Sequence, residues 1–174
     1  MGKNTRKLTL SALFSALGVV TLYVASVWPT GQIGLTAVAS LFVAAAVIES
    51  GIVSGISVFA VTSLIAFLIV PNRVPPILYV LFLGFYPILK SLLEKRGHII
   101  LQTIGKLVVF NASFAVAWFL LREILFDSEI FDFDAVFLFI GGSVVFLLFD
   151  YGFTKLIWFY INRISKRIGS KNYD

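Results

Sequence analysis

The sequence predicts an all-α integral membrane protein, with six transmembrane helices in a single bundle and both termini cytoplasmic. Three observations carry that expectation. Apolar residues make up 59% of the 174-residue chain and charged residues 13%, roughly half the charged share of a soluble domain. Mean hydropathy is +0.99, and the apolar residues gather into runs that reach or approach the ~20 residues needed to span a bilayer. Most of the basic residues fall on one side of those runs, as orientation in a membrane requires.

The first run, 8–28, follows Lys3, Arg6 and Lys7. A basic start before an apolar stretch also marks signal peptides. This stretch exceeds the usual ~7–15-residue signal core and has no clean small-x-small cleavage site, so a retained span is expected. One of its faces is pared down to small residues. Ala12 and Ala16 lie four apart with Ser11, Ser15 and Gly18 beside them, while Leu10, Leu13, Phe14 and Leu17 point elsewhere. Pressing two apolar helices together gains little in lipid, so association relies on close backbone approach across small residues. The strip therefore reads as a docking face for another helix, from this chain or from a partner.

Pro29-Thr30-Gly31-Gln32 has the composition of a turn, and the Ala-rich second span is expected over 33–48. Glu49-Ser50-Gly51 leaves a very short connection to the third span, 52–70. Three prolines between Pro71 and Pro76 predict a decisive break. The fourth span, 77–93, holds Gly84 and Pro87, which predict a kink near Phe85-Tyr86-Pro87. A polar loop, Glu94 to His98, leads to the fifth span, 99–126. The acidic segment 127–134 precedes the sixth, 135–161, and a basic tail ends the chain. With no internal repeat or linker, residues 1–174 read as one domain.

Six spans place both termini on one side. Lys3, Arg6, Lys7, Lys90, Lys95, Arg96, Arg163, Lys166, Arg167 and Lys171 gather there, which makes that side cytoplasmic. Pro29–Gln32, Pro71–Pro76 and Asp127–Asp134 become the outer loops. The net charge of +5 is thereby assigned to membrane orientation rather than to nucleic acid.

No catalytic constellation is present, whether a phosphate-binding glycine loop, paired carboxylates on one helical face or a nucleophile–histidine pair, so no enzyme activity is expected. The chain has no cysteine and a single histidine, His98, which argues against a metal site or other cofactor. Glu49, Lys90, Lys106, Asp150 and Lys155 are ionisable groups within or beside spans, each costly unless paired or wetted. They either neutralise one another and snorkel, or form a coupling site for a cytoplasmic partner. Near the outer face and mid-membrane, Gln32, Asn72, Arg73, Tyr79, Asn111, Trp118 and Arg122 offer the few polar groups on apolar walls that a small-molecule site uses. Trp28, Tyr79 and Trp118 equally suit an interfacial belt, and Arg73 a solvated loop. Phe131, Phe133, Phe137 and Phe139, around the acidic segment, suit a lid.

The lead-in Arg6-Lys7-Leu8-Thr9-Leu10-Ser11-Ala12, the Ala12/Ala16 spacing and the stretch Tyr79 to Lys90 with Gly84-Phe85-Tyr86-Pro87-Ile88-Leu89-Lys90 resemble the substrate-binding S components of energy-coupling factor (ECF) transporters, in an uncharacterised subgroup. The resemblance implies a prokaryotic plasma-membrane protein that binds a vitamin-like small molecule near its outer face. It implies docking through Ala12 and Ala16 on a transmembrane T component, which carries two ATPase subunits. No signature for a particular vitamin is recognisable. The alternative expectation is a non-transport membrane scaffold of the MreD-like, cell-envelope type, which would need no outward pocket. A small channel would want a polar stripe through several helices, and only the fifth span offers one.

Overall fold

Leu, Val, Ile, Phe and Ala dominate every long segment, and a backbone in hydrocarbon must satisfy its own hydrogen bonds, so helix is the outcome. A computed structural model of the protein describes residues 3–94, 99–125 and 135–165. Seven helices occur among the described residues: α1 (Lys3–Val27), α2 (Gln32–Ser50), α3 (Ile52–Ile69), α4 (Val74–Leu78), α5 (Tyr86–Leu93), α6 (Ile99–Leu125) and α7 (Ala135–Tyr160). No strand occurs among those residues. Five stretches are long and apolar enough to cross a bilayer: Asn4–Val27, Pro29–Ser50, Ile52–Ile69, Val74–Leu93 and Phe139–Arg163. Helix α6 has 27 residues, about 40 Å at 1.5 Å per residue.

The connections show why the chain turns where it does. Pro29–Gly31 is a single 3-10 turn between α1 and α2. Helix α2 runs two residues past its expected end at residue 48, to Ser50, and leaves Gly51 alone before α3. Gly51 has φ +93, a conformation open to glycine and strained for other residues, and its N–H caps α2 by donating to Val47 O at 2.9 Å.

The proline-rich break behaves differently from expectation. Helix α4 begins inside it, with Pro75 and Pro76 in the first turn, where a missing N–H removes no intrahelical bond. Asn72 Oδ1 accepts from Val74 N at 3.0 Å and caps that turn. The expected kink at 85–87 is also displaced. Unwinding starts earlier, in a π-helical turn over Tyr79–Leu83 in which Gly84 N donates to Tyr79 O at 2.6 Å. Pro87 then sits in the first turn of α5, so it starts a helix instead of bending one.

The core divides into two clusters. One joins α1, α2 and α3 through Phe14, Leu22, Val43, Val58 and Ala66, and takes in Tyr79 and Ile88 from the broken α4–α5 segment. The other joins α5, α6 and α7 through Tyr86, Phe146 and Phe153, with Phe82 and Phe110 beside them, and touches α2 at Ala44. Large apolar side chains such as Val53, Leu64, Leu68 and Leu148 point outward, as lipid-facing residues do. Two buried hydroxyls of α2 bond back to their own helix, Thr36 Oγ1 to Gln32 O at 2.6 Å and Ser40 Oγ to Ala37 O at 2.6 Å, and so carry no unsatisfied polarity into the apolar interior.

Helices α1 and α3 meet closely at Gly18, where an added Cβ would lie 3.0 Å from Thr62 Cγ2 and 3.1 Å from Thr62 Oγ1. At Gly34 an added Cβ meets nothing within 4 Å. Gly18→Leu is expected to destabilise the protein by about 1–3 kcal/mol through overpacking, while Gly34→Leu leaves stability unchanged or slightly raised. Thermal unfolding in detergent measures both; equal losses would show that α1 and α3 do not depend on this approach.

Candidate functional site

The small-residue strip of α1 divides between two uses. Ser15 and Gly18 are buried against α3, where Thr62 Oγ1 donates across the helices to Ser15 O at 3.4 Å. Ala12 and Ala16 are exposed, in line with Leu13 and Val20. Packing within the chain therefore leaves the alanine pair open, one turn apart, on the outside of the bundle.

The expected outer-face residues occupy separate places. Gln32 opens α2 and is half-buried, Asn72 caps α4, and the exposed Arg73 donates to Phe67 O at the end of α3. Tyr79 is buried in the first core cluster, where its hydroxyl lies beside Thr62 without a well-formed hydrogen bond. Asn111 lies in α6, and its Nδ2 donates to Leu107 O at 2.9 Å and to Ser143 Oγ of α7 at 3.3 Å. This pair sits in an open groove of about 340 Å³ between α6 and α7, walled by Leu107, Phe139, Val144 and Leu147. The side chains of Trp118, Arg122 and Phe137 lie outside the described residues, as does the acidic segment with Phe131 and Phe133. Among those of the seven whose side chains are described, Asn111 alone lines that groove.

The charges within or beside the apolar helices converge more tightly. Lys90 on α5 places Nζ 2.6 Å from Asp150 Oδ1 on α7 and 2.7 Å from Glu94 Oε1 at the end of its own helix. Lys106 on α6 places Nζ 2.8 Å from Glu94 Oε1 and 3.2 Å from Asp150 Oδ2. The four groups make a closed ring of alternating sign drawn from three helices. Lys90 also donates to Thr154 Oγ1 at 2.9 Å, so all three of its N–H bonds are used. Tyr86 OH donates to Asp150 Oδ1.

The lysine side chains are 4% and 8% exposed and the Glu94 side chain 41%. The ring is thus closed at its lysines and open to solvent at Glu94. An unpaired charge at such a position is expensive; two acids against two bases cancel. Lys155 stays outside the ring, 5.4 Å over the exposed Tyr151 ring, and Glu49 lies beside Tyr160 with Oε1 buried and unbonded.

Sequence reasoning named Lys90, Lys106 and Asp150 but missed Glu94, Tyr86 and Thr154. Glu94 had been assigned to a polar loop, although its i,i+4 spacing from Lys90 is a helical ion-pair signal. Asp150 and Thr154 repeat that spacing on α7. No group of three His, Cys, Asp or Glu side chains able to hold a metal occurs among the described residues. No known protein family, curated protein or solved structure matches this chain.

Two predictions follow from the alternation of charge. Exchanging one pair, Lys106→Asp with Asp150→Lys, restores neutrality but sets like charges side by side along two edges of the ring. It is expected to recover only part of the stability lost in either single variant, whereas inverting all four charges recovers more; detergent thermal denaturation of the set measures this. At Glu94, which lies beyond the span, burial raises the carboxyl's affinity for a proton, but hydrogen bonds and charge from Lys106 and Lys90 outweigh it and hold the pKa below 4.5. Its stabilising contribution is full above 4.5, its ordinary value, and is lost as pH falls through the lowered value. Wild type is expected to lose more stability than Glu94→Gln on titration downward from 4.5.

Proposed function

We propose that the chain is the membrane-embedded substrate-capture subunit of an ECF-type importer in a prokaryotic plasma membrane. It crosses the bilayer six times with both termini cytoplasmic, α6 being the span between the acidic segment and the cytoplasmic loop at 95–98. A vitamin-like small molecule binds from the outer side, and a transmembrane T component with ATPase subunits docks on α1.

The observation that carries the reading is the exposure of Ala12 and Ala16. Their small side chains are spare in the packing of this chain, since Ser15 and Gly18 already serve the α1–α3 contact. The basic residues before α1 put the pair near the cytoplasmic surface, within reach of a T component. The Asn111–Ser143 pair supplies polar groups in a mostly apolar groove, the mixture that small-molecule sites use.

Enlarging both alanines to Trp is expected to abolish recovery of a T component and ATPases in pull-downs from native membranes, with the yield of folded protein retained. Wild type that recovers no ATPase module, or a Trp variant that recovers as much as wild type, would overturn the proposal. Native mass spectrometry of the wild type is expected to reveal a co-purifying small molecule.

A further inference from the structure

Helix α7 is the least embedded of the five candidate spans, and the α4–α5 segment the most. Its apolar contacts are an aromatic seam. The Phe110 and Phe146 rings stack at 4.6 Å and 9°, and Phe82 meets both edge-on, at 5.2 and 5.5 Å. Tyr86 packs against Phe146 and Phe153. In hydrocarbon such a seam loses little by opening, because lipid chains replace the lost contacts with equally apolar ones. Charges gain no such replacement.

The ring of Lys90, Glu94, Lys106 and Asp150 stands at one end of the seam, and Tyr86 joins the two by donating to Asp150. Toward the other end, Phe114 stacks on Phe110 and meets Phe139, beside the Asn111–Ser143 groove. The segment that carries Lys90 and Glu94 is itself broken by the π-helical turn at Tyr79–Leu83. The segment stays seated in the α1–α3 core on both sides of that break, through Tyr79 and Ile88, while Phe82 and Tyr86 face the aromatic seam.

We infer that the ring is a latch: Asp150 fastens α7 to α5 and α6, and loss of its charge lets α7 swing away along the aromatic seam while the α1–α3 core stays closed. The opening would connect the Asn111–Ser143 groove with the interior at Tyr86. This device does not rest on the importer reading, since it follows from the charges and the seam alone.

The chain contains no cysteine, so paired spin labels can be placed on introduced ones. Leu64 on α3 and Leu148 on α7 are both exposed and report the seating of α7. Val27 and Val53, exposed at the end of α1 and the start of α3, report the core. In reconstituted full-length protein, Asp150→Asn is expected to add a population in which the Leu64–Leu148 distance is longer by on the order of 5 Å, one helical turn. The Val27–Val53 distribution stays as in wild type.

The fourfold inversion Lys90→Glu, Glu94→Lys, Lys106→Glu and Asp150→Lys is expected to return the first distribution to that of wild type. An unchanged Leu64–Leu148 distribution in Asp150→Asn overturns the latch. Simultaneous change in both pairs overturns it as well, because Asp150 would then hold the whole fold. An inversion that stays as broad as Asp150→Asn shows that alternating charge is not the fastening.

Discussion

Lys90, Glu94, Lys106 and Asp150 reach one another from three helices, and none of them would be tolerated there unpaired. A lysine ammonium in hydrocarbon is several kcal/mol uphill, and Lys90 and Lys106 are both almost fully covered. Each contacts both carboxylates, and Asp150 meets them with separate oxygens. The relative placement of α5, α6 and α7 follows from that requirement. In water the aromatic side chains would supply the drive to associate; in lipid they supply shape, and the charges supply preference.

The α1–α3 half is held on a different principle. Its helices approach through Gly18, Ser15 and Thr62 and through the alanines of α2, so close backbone contact replaces polar fastening. Its connections are equally short, with Gly51 alone between α2 and α3. The α4–α5 segment links the halves, contributing Tyr79 and Ile88 to one cluster and Phe82 and Tyr86 to the other. Within the π-helical turn Tyr79 serves the first cluster and Phe82 the second, and in α5 Ile88 and Tyr86 divide in the same way.

Small and polar groups are left at the surface where packing has no claim on them. Ala12 and Ala16 face outward because the neighbouring small residues on α1 already satisfy α3. Asn111 and Ser143 satisfy each other and their own helices, so the α6–α7 groove is polar at two points without an uncompensated group. The residues expected at one outer site instead serve several local purposes, with Asn72 as a cap and Tyr79 in the core. Polar residue type at a chain break is common to caps and binding sites, and sequence alone does not separate them.

Helical class, the positions of most helix ends and the presence of runs long and apolar enough to cross a membrane were determined by the sequence, because hydropathy runs and glycine or proline breaks act locally. The two displaced features, α4 starting within the prolines and the unwinding at Tyr79, arise because proline is tolerated in a first turn and because Tyr79 is drawn into the α1–α3 core. Three ring members were legible as costly intramembrane charges. Glu94 and Tyr86 were not, since their roles depend on which helices meet. The tertiary structure alone decided that Lys90, Glu94, Lys106 and Asp150 close into one ring: partners as far apart in the chain as Lys90 and Asp150 are chosen by the cost of an unpaired charge in lipid, a cost that no local pattern records.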